Sequence, residues 1–273
     1  MRTAIVIPAR YASTRLPGKP LAMIAGHTML SRVITLARNV QNADAIYIAT
    51  DDTRIADYAK EFSAKTVMTD TTCASGTDRV AQAIMRADEQ ADFVINLQGD
   101  APLTPPAMLD SLIEAFNEHH SDIVTPVCQL SWASLDRLRE NKCTTPFSGT
   151  CATFHPHTYH AYWFSKNIIP ALRNETKLRN TQTLSPIYQH IGLYGYRRES
   201  LLRYATLPNS VYESYEGLEQ LRLLEAGMDI RCVPVNHQTS GLGGVDSPDD
   251  ITRVEAYLQK HGDPIGEQLK EQL

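Results

Sequence analysis

No C-x-x-C pair occurs in this sequence, and its five cysteines (Cys73, Cys128, Cys143, Cys151 and Cys232) are an odd number. Both facts argue against a disulfide framework or a structural zinc site and fit a reducing compartment. No apolar run approaches the roughly 20 residues of a membrane span. Met1 leads straight into a strand pattern, without a basic segment and long apolar stretch, so no signal peptide is expected and the cytoplasm is the expected location. Lysine and arginine number 26 against 31 aspartates and glutamates, a formal net charge of −5. That balance argues against general nucleic-acid binding but allows a local basic pocket. The first strand is followed by neither G-x-x-x-x-G-K-[ST] nor G-x-G-x-x-G, so P-loop and dinucleotide fingerprints are absent. The hydrolase elbow G-x-S-x-G is missing as well.

What is present is an ordinary globular composition, 42% apolar and 21% charged over 273 residues. This suits one large domain, or one domain with a sizeable excursion. Strand-like and helix-like segments alternate through the first half. "TAIVIP" (3–8), "AIYIAT" (45–50), "AKTVMT" (64–69) and "DFVINLQ" (92–98) read as strands. Residues 28–40, 51–62, 77–87 and 105–119 read as helices. The rhythm predicts an α/β fold with a parallel sheet and helices on both faces, binding ligands at the carboxyl ends of the strands. The pattern then changes. Residues 122–130, 149–166, 190–197 and 230–235 are strand-like, with "HPHT" a turn. Residues 216–227 and 247–261 are helical, the latter capped by Ser247. The polar stretch 171–186 reads as a mobile loop, and the tail after Gly262 as frayed.

Chemistry concentrates at three places. "IPARYASTRLPGKP" (7–20) follows the first strand and carries Arg10, Arg15 and Lys19 on a segment too rich in Pro and Gly for a regular helix. A loop can fold these cations onto one polyphosphate, since Arg offers a planar fork and Lys a compact charge. A solvated loop with chance charges would look the same, but the position at a strand's carboxyl end favours a site. Asp100 closes "NLQGD", and Asp246 follows a turn with glycines at 241, 243 and 244. Strand-end carboxylates beside phosphates suit Mg²⁺, although each also fits an ordinary turn. "CASGTDR" (73–79) places small residues before a helix N-terminus, as a plain cap or to meet an anion or a base edge. His155, His157 and His160 fit a hairpin tip better than a metal site.

Taken in order, "IPARYASTRLPGKPL", "ATDD", "SGTDR", "NLQGDAP", "HIGLYGYR", "LEQLR" and "GVDSPDDI" resemble the 3-deoxy-manno-octulosonate (Kdo) cytidylyltransferases, across about residues 3–256. The resemblance implies a Rossmann-like nucleotidyltransferase fold, a mixed, mostly parallel sheet with a smaller sugar-binding and dimerisation subdomain. It implies one domain over 1–262: a nucleotide half (1–121), a sugar and dimerisation excursion (122–235) and a return to the metal site (236–262), then a polar tail (263–273). The implied reaction joins CTP to a 2-keto sugar acid, giving a CMP-sugar for lipopolysaccharide or capsule synthesis, and pyrophosphate. By the same resemblance Arg10, Arg15 and Lys19 hold the triphosphate, and Asp100 and Asp246 hold Mg²⁺. Arg10, Lys19, Asp100 and Asp246 form the catalytic set. Ser75, Thr77 and Arg79 read the cytosine end, while Gln98, His190, Tyr194, Glu219 and Gln220 line the sugar pocket. A homodimer with neither nucleic-acid nor membrane partner is implied too. The sequence departs from the family at Ala101, where Q-G-D-E-P has an acid, over 141–154, at "WFSK" (163–166), where the family has "YFSR", and around 171–186. These changes lie mainly in the sugar half. They leave open a modified Kdo, another sugar acid or phosphorylated polyol, or a non-catalytic nucleotide binder.

Overall fold

The structure is a computed structural model that describes residues 1–13, 15–236 and 243–272. Gly241, one of the glycines noted before Asp246, and Leu273 at the end of the tail lie outside the described residues. In chain order the elements are β1 (Thr3–Ala9), β2 (Met23–Ile24), β3 (His27–Thr28), α1 (Met29–Arg38), β4 (Ala45–Thr50), α2 (Thr53–Glu61), β5 (Lys65–Met68), α3 (Gly76–Arg86), β6 (Phe93–Asn96) and α4 (Pro106–His119). They continue with β7 (Ile123–Ser131), α5 (Trp132–Thr144), β8 (Thr150–Phe154), β9 (Ala161–Ser165), α6 (Glu175–Thr181), β10 (Leu184–His190) and β11 (Tyr194–Arg197). The last are α7 (Arg198–Tyr204), α8 (Val211–Glu216), α9 (Glu219–Glu225), β12 (Ile230–Pro234), α10 (Pro248–His261) and α11 (Pro264–Gln272).

The chain divides into two compact units, Met1–Ile113 with Leu242–Leu273, and Glu114–Gly241. In the first unit the strands run in the order β5-β4-β1-β6. All three of these pairings are parallel, as the alternation of strand and helix requires. β1 is at the centre, and Ala4, Ile5, Val6 and Ile7 are fully buried. An apolar strand buried on both faces is the expected form for a parallel sheet. α10 closes the unit. Ser247 accepts from the Asp250 backbone N–H, and Asp250 returns a bond to the cap, so the helix begins on a capping box. Val254 and Leu258 then pack with Ile24, Met29 and Val245 in one cluster. Each such side chain contributes about 1.5–3 kcal/mol when fully buried, and this burial fixes the chain on either side of Asp246.

In the second unit the order is β11-β7-β10-β8-β9, with β12 on β7. Here β7 pairs antiparallel with β10 and β11, and β8 with β10 and β9, while β12 joins β7 in parallel. The HPHT turn does connect β8 to β9, and the imidazole of His155 accepts from the backbone N–H groups of His157 and Thr158. His160 meets Asp229 instead. Among the described residues no group of three or more His, Cys, Asp or Glu could hold a metal.

Four expectations are corrected. The stretch 171–186 holds α6 and the start of β10. Glu175 takes two bonds from Arg139 and further bonds from Arg179, which also grips Asp136. These bonds, from Arg139 first, hold the Glu175 carboxyl down at about 2. The tail after Gly262 is α11, with Leu269 buried, and the buried Arg32 donates to both oxygens of Asp263 at its start. "HIGLYGYR" is not one strand: after His190 the chain turns, with Leu193 N–H donating to Ile191 O, and resumes at Tyr194. The helix read over 216–227 is α9, which begins only at Glu219: Gly217, with a φ of 63°, ends the preceding α8 in the left-handed region.

Candidate active site

β1 delivers the chain to Arg10, and the next residues fold back. Gly18 has φ 68°, a conformation glycine takes without penalty, and its N–H donates to Tyr11 O at 3.1 Å. A 3-10 turn over Lys19–Leu21 follows directly. Arg54 of α2 stacks on the Tyr11 ring, 3.3 Å from its centroid. The loop is thus held at both ends of its reversal, and Lys19 turns inwards.

Asp100 reaches the same point from β6. A Cβ on Gly99 would lie 2.6 Å from Pro8 O, so the tight approach of this turn to the end of β1 needs glycine. Asp246 arrives from the lead into α10. Val245 N–H donates to Asp100 O at 2.8 Å, joining the two carboxylate-bearing segments. Between the carboxylates stands one ammonium: Lys19 Nζ lies 2.5 Å from Asp100 Oδ2 and 3.0 Å from Asp246 Oδ1. Burial would lower the Lys19 pKa, but Asp100 first and then Asp246 outweigh it, and the value is raised. Arg15 makes a 3.1 Å pair with Asp246 Oδ2 from a largely exposed position.

These groups edge a cleft lined by Arg10, Lys19, Ser75, Arg79, Gln98, Asp100 and Asp246 among others. Arg10 has an exposed side chain. Ser75 is the N-cap of α3 in a capping box with Asp78, so the plain-cap reading of "CASGTDR" holds and the cap also lines the cleft. Arg79 is almost wholly buried; it donates to Thr69 Oγ1 at 2.5 Å and to Asp51 Oδ2 at 2.9 Å. Thr77 is buried and accepts from Asn96 Nδ2 at 3.2 Å; it is not among the lining residues. Gln98 donates to Asn96 Oδ1 at 2.9 Å.

The other four predicted sugar-pocket residues belong to the second unit, and three of them touch in sequence. The His190 and Tyr194 rings are 5.4 Å apart, and the Tyr194 hydroxyl donates to Gln220 Oε1 at 2.9 Å. Glu219 is the neighbour of Gln220 in the first turn of α9. Thr125 donates its only hydroxyl proton to Leu193 O, so its oxygen accepts from His190 Nε2, 2.8 Å away. This fixes the neutral tautomer and leaves Nδ1 as the acceptor. Burial, with the charge of Lys166, pushes His190 down to about 3. Burial first, then Glu219, raises Tyr194 well above its ordinary value. Gln220 Nε2 is buried with no partner among the described residues.

Sequence reasoning missed two contributors. Asp51 was visible only as part of "ATDD", and its pairing with Arg79 spans 28 positions. Cys73 lines the cleft too; its thiol is raised, by burial first, and no nucleophile signature marks it.

A model of the cytidylyltransferase family matches residues 4–230. The 3-deoxy-manno-octulosonate cytidylyltransferase of Maricaulis maris is 42% identical over 266 residues, spanning 97% of this chain and 100% of that protein. The chain belongs to the 3-deoxy-manno-octulosonate cytidylyltransferase family. The enzyme of the same name from Myxococcus xanthus is 41% identical over 96% of this chain and 98% of its own length. Among solved structures, a CMP:2-keto-3-deoxy-manno-octonic acid synthetase complexed with CTP superposes with a TM-score of 0.83 at 34% identity, covering 95% of this chain and 99% of that one. A cytidylyltransferase from Leptospira borgpetersenii, at 14% identity and TM-score 0.61, shares the fold. The family's α/β nucleotidyltransferase architecture is therefore the architecture of this chain.

Proposed function

We propose that this protein is a cytidylyltransferase that activates Kdo with CTP, releasing pyrophosphate. The observation that carries the reading is the single ammonium of Lys19 between Asp100 and Asp246, at the edge of a cleft where Arg10 is exposed. In the reaction the anomeric hydroxyl of the sugar attacks the α-phosphorus of CTP. A new C–O–P bond forms, the α–β phosphoanhydride bond breaks, and the hydroxyl proton passes to water. Charge builds on the phosphoryl oxygens and the departing pyrophosphate, so fixed cations are the main catalytic need. Arg10, Arg15 and Lys19 supply them. Ser75 and Arg79 face the base end of the nucleotide, with Thr77 supporting them through Asn96. His190, Tyr194, Glu219 and Gln220 take the acceptor, whose hydroxyls and carboxylate match their mixed donors and acceptors.

Asp100 and Asp246 fit Mg²⁺. Two carboxylates that already converge on one cation suit an ion that takes one or two carboxylates and completes its shell with phosphate oxygens and water. When bound, Mg²⁺ withdraws charge from the triphosphate. Lys19 then serves two tasks, balancing the carboxylates and facing the phosphates.

We further infer a cytoplasmic homodimer formed through the second unit. There the exposed Tyr162, Val211, Tyr212 and Tyr215 lie on β9 and α8, and Trp163 meets Tyr212 edge to face at 5.1 Å. β9 ends the strand order of that unit, and an apolar sheet edge is usually covered. Light scattering reads the assembly directly. The test of the function is pyrophosphate release from CTP and Mg²⁺ with a panel of acceptors: Kdo, an amino-modified Kdo and a phosphorylated polyol. Kdo is expected to be turned over; no release with Kdo, where a control enzyme works, contradicts the reading.

A further inference from the structure

The last residue of the "WFSK" segment is held by two charged side chains that no part of the functional reading uses. Glu216, at the end of α8, accepts from Ser165 Oγ at 2.8 Å and from the backbone N–H of Lys166 at 2.7 Å. On the other side the ammonium of Lys142, in the last turn of α5, donates to the carbonyl of Lys166 at 2.5 Å. The same ammonium donates to the carbonyls of Pro146, Ser148 and Gly149. Four carbonyl oxygens thus converge on Lys142 Nζ, and both backbone groups of residue 166 are tied by a charge.

The side chain so clamped is left free. Among the described residues the half-buried Lys166 ammonium has no hydrogen bond or ion pair. Burial lowers its pKa, outweighing the charge of Glu216, which raises it. The register shows where it points. Cys151 pairs with Ser165 and Thr150 with His190, so one step further along the ladder Lys166 stands in the row of Thr150 and His190, on their face of the sheet. Its charge reaches His190, helping to hold that imidazole neutral. A half-buried cation without a hydrogen bond or ion pair, beside an imidazole acceptor, is completed by an anionic ligand.

We propose that Lys142 and Glu216 are positioning residues that clamp the backbone of Lys166, so that its ammonium meets the carboxylate of the acceptor sugar acid; this rests on the sugar-acid cytidylyltransferase reading above. Lys142 acts through the carbonyls it gathers rather than by touching substrate.

The test compares the full-length wild type with K142A, E216Q and K166M in steady state, varying Kdo at saturating CTP and then CTP at saturating Kdo. All three variants are expected to raise the KM for Kdo about tenfold or more while the KM for CTP stays within about twofold. K142A should recover with ammonium or methylammonium chloride, which fit the carbonyl cage, and not with tetramethylammonium chloride at equal ionic strength. K166M should not recover, since its cage is intact. An active wild type with an unchanged KM for Kdo in K142A overturns the clamp alone. Should K142A not fold, E216Q decides: an unchanged KM for Kdo there overturns the clamp equally. A wild type that turns over no Kdo overturns the functional reading, and this inference with it.

Discussion

Lys19 Nζ sits 2.5 Å from Asp100 Oδ2 although 81 positions separate the two residues. The pair brings the loop after β1 onto the turn after β6, and Asp246 joins it from the other end of the first unit. Lys19→Met should lower kcat about 10²–10³-fold, the loss typical of a charge-stabilising donor. The two carboxylates are partly exposed, so the stability change should be about 1 kcal/mol or less. Pyrophosphate release alongside a thermal melt separates the two effects; a large drop in melting temperature with normal turnover contradicts this assignment.

His190 makes the second prediction. Its folded pKa of about 3 lies below the ordinary 6.5, through burial and the charge of Lys166. As pH falls, the unfolded chain takes up the proton first. The contribution to stability is therefore full above about pH 6.5 and is lost progressively down to about pH 3, with a slope near 1.4 kcal/mol per pH unit. His190→Gln should remove that slope. Urea unfolding of both proteins between pH 7 and pH 4.5 measures it; parallel curves would contradict the buried, neutral imidazole.

Arg32 and Asp263 carry the third. Arg32 is 1% exposed, and its two terminal nitrogens each lie 2.8 Å from an Asp263 oxygen, while Nε donates to Ile24 O. Asp263→Ala strands a buried guanidinium and should cost about 3–5 kcal/mol. The double variant Arg32→Met, Asp263→Leu should be milder than Asp263→Ala alone, because it leaves no unpaired charge. Chemical denaturation of the two decides; equal losses would mean that the pair does not act as a unit.

How much of this was legible in the sequence varies element by element. α10 announced itself, because Ser247, Pro248 and the first-turn acids are local signals and the apolar spacing is regular. β1, β4 and β6 were equally plain, being short apolar runs buried on both faces. α6 was not, because "ETKLRNT" has no buried residue and is held by ion pairs to Asp136 and Arg139, some 40 positions away. α11 was missed for a related reason: it is mostly polar, and it is anchored by Leu269 and by a partner on α1. In the site, the cations and Asp100 follow strand ends, where chemistry is expected, and Asp246 stands just before α10. The joining of Lys19 to both aspartates, the Asp51–Arg79 pair and the Lys142 cage are long-range contacts with no local pattern, so only the structure reveals them.

The proposed cytidylyl transfer to a sugar acid rests on the Lys19, Asp100 and Asp246 constellation. It is tested most directly by measuring CMP-Kdo and pyrophosphate together in the wild type, D100N and D246N, with saturating CTP, Mg²⁺ and Kdo. The wild type should form one CMP-Kdo per pyrophosphate. Both variants should fall by about 100-fold or more in kcat, while calorimetry still detects CTP binding. Either variant turning over at the wild-type rate would contradict it.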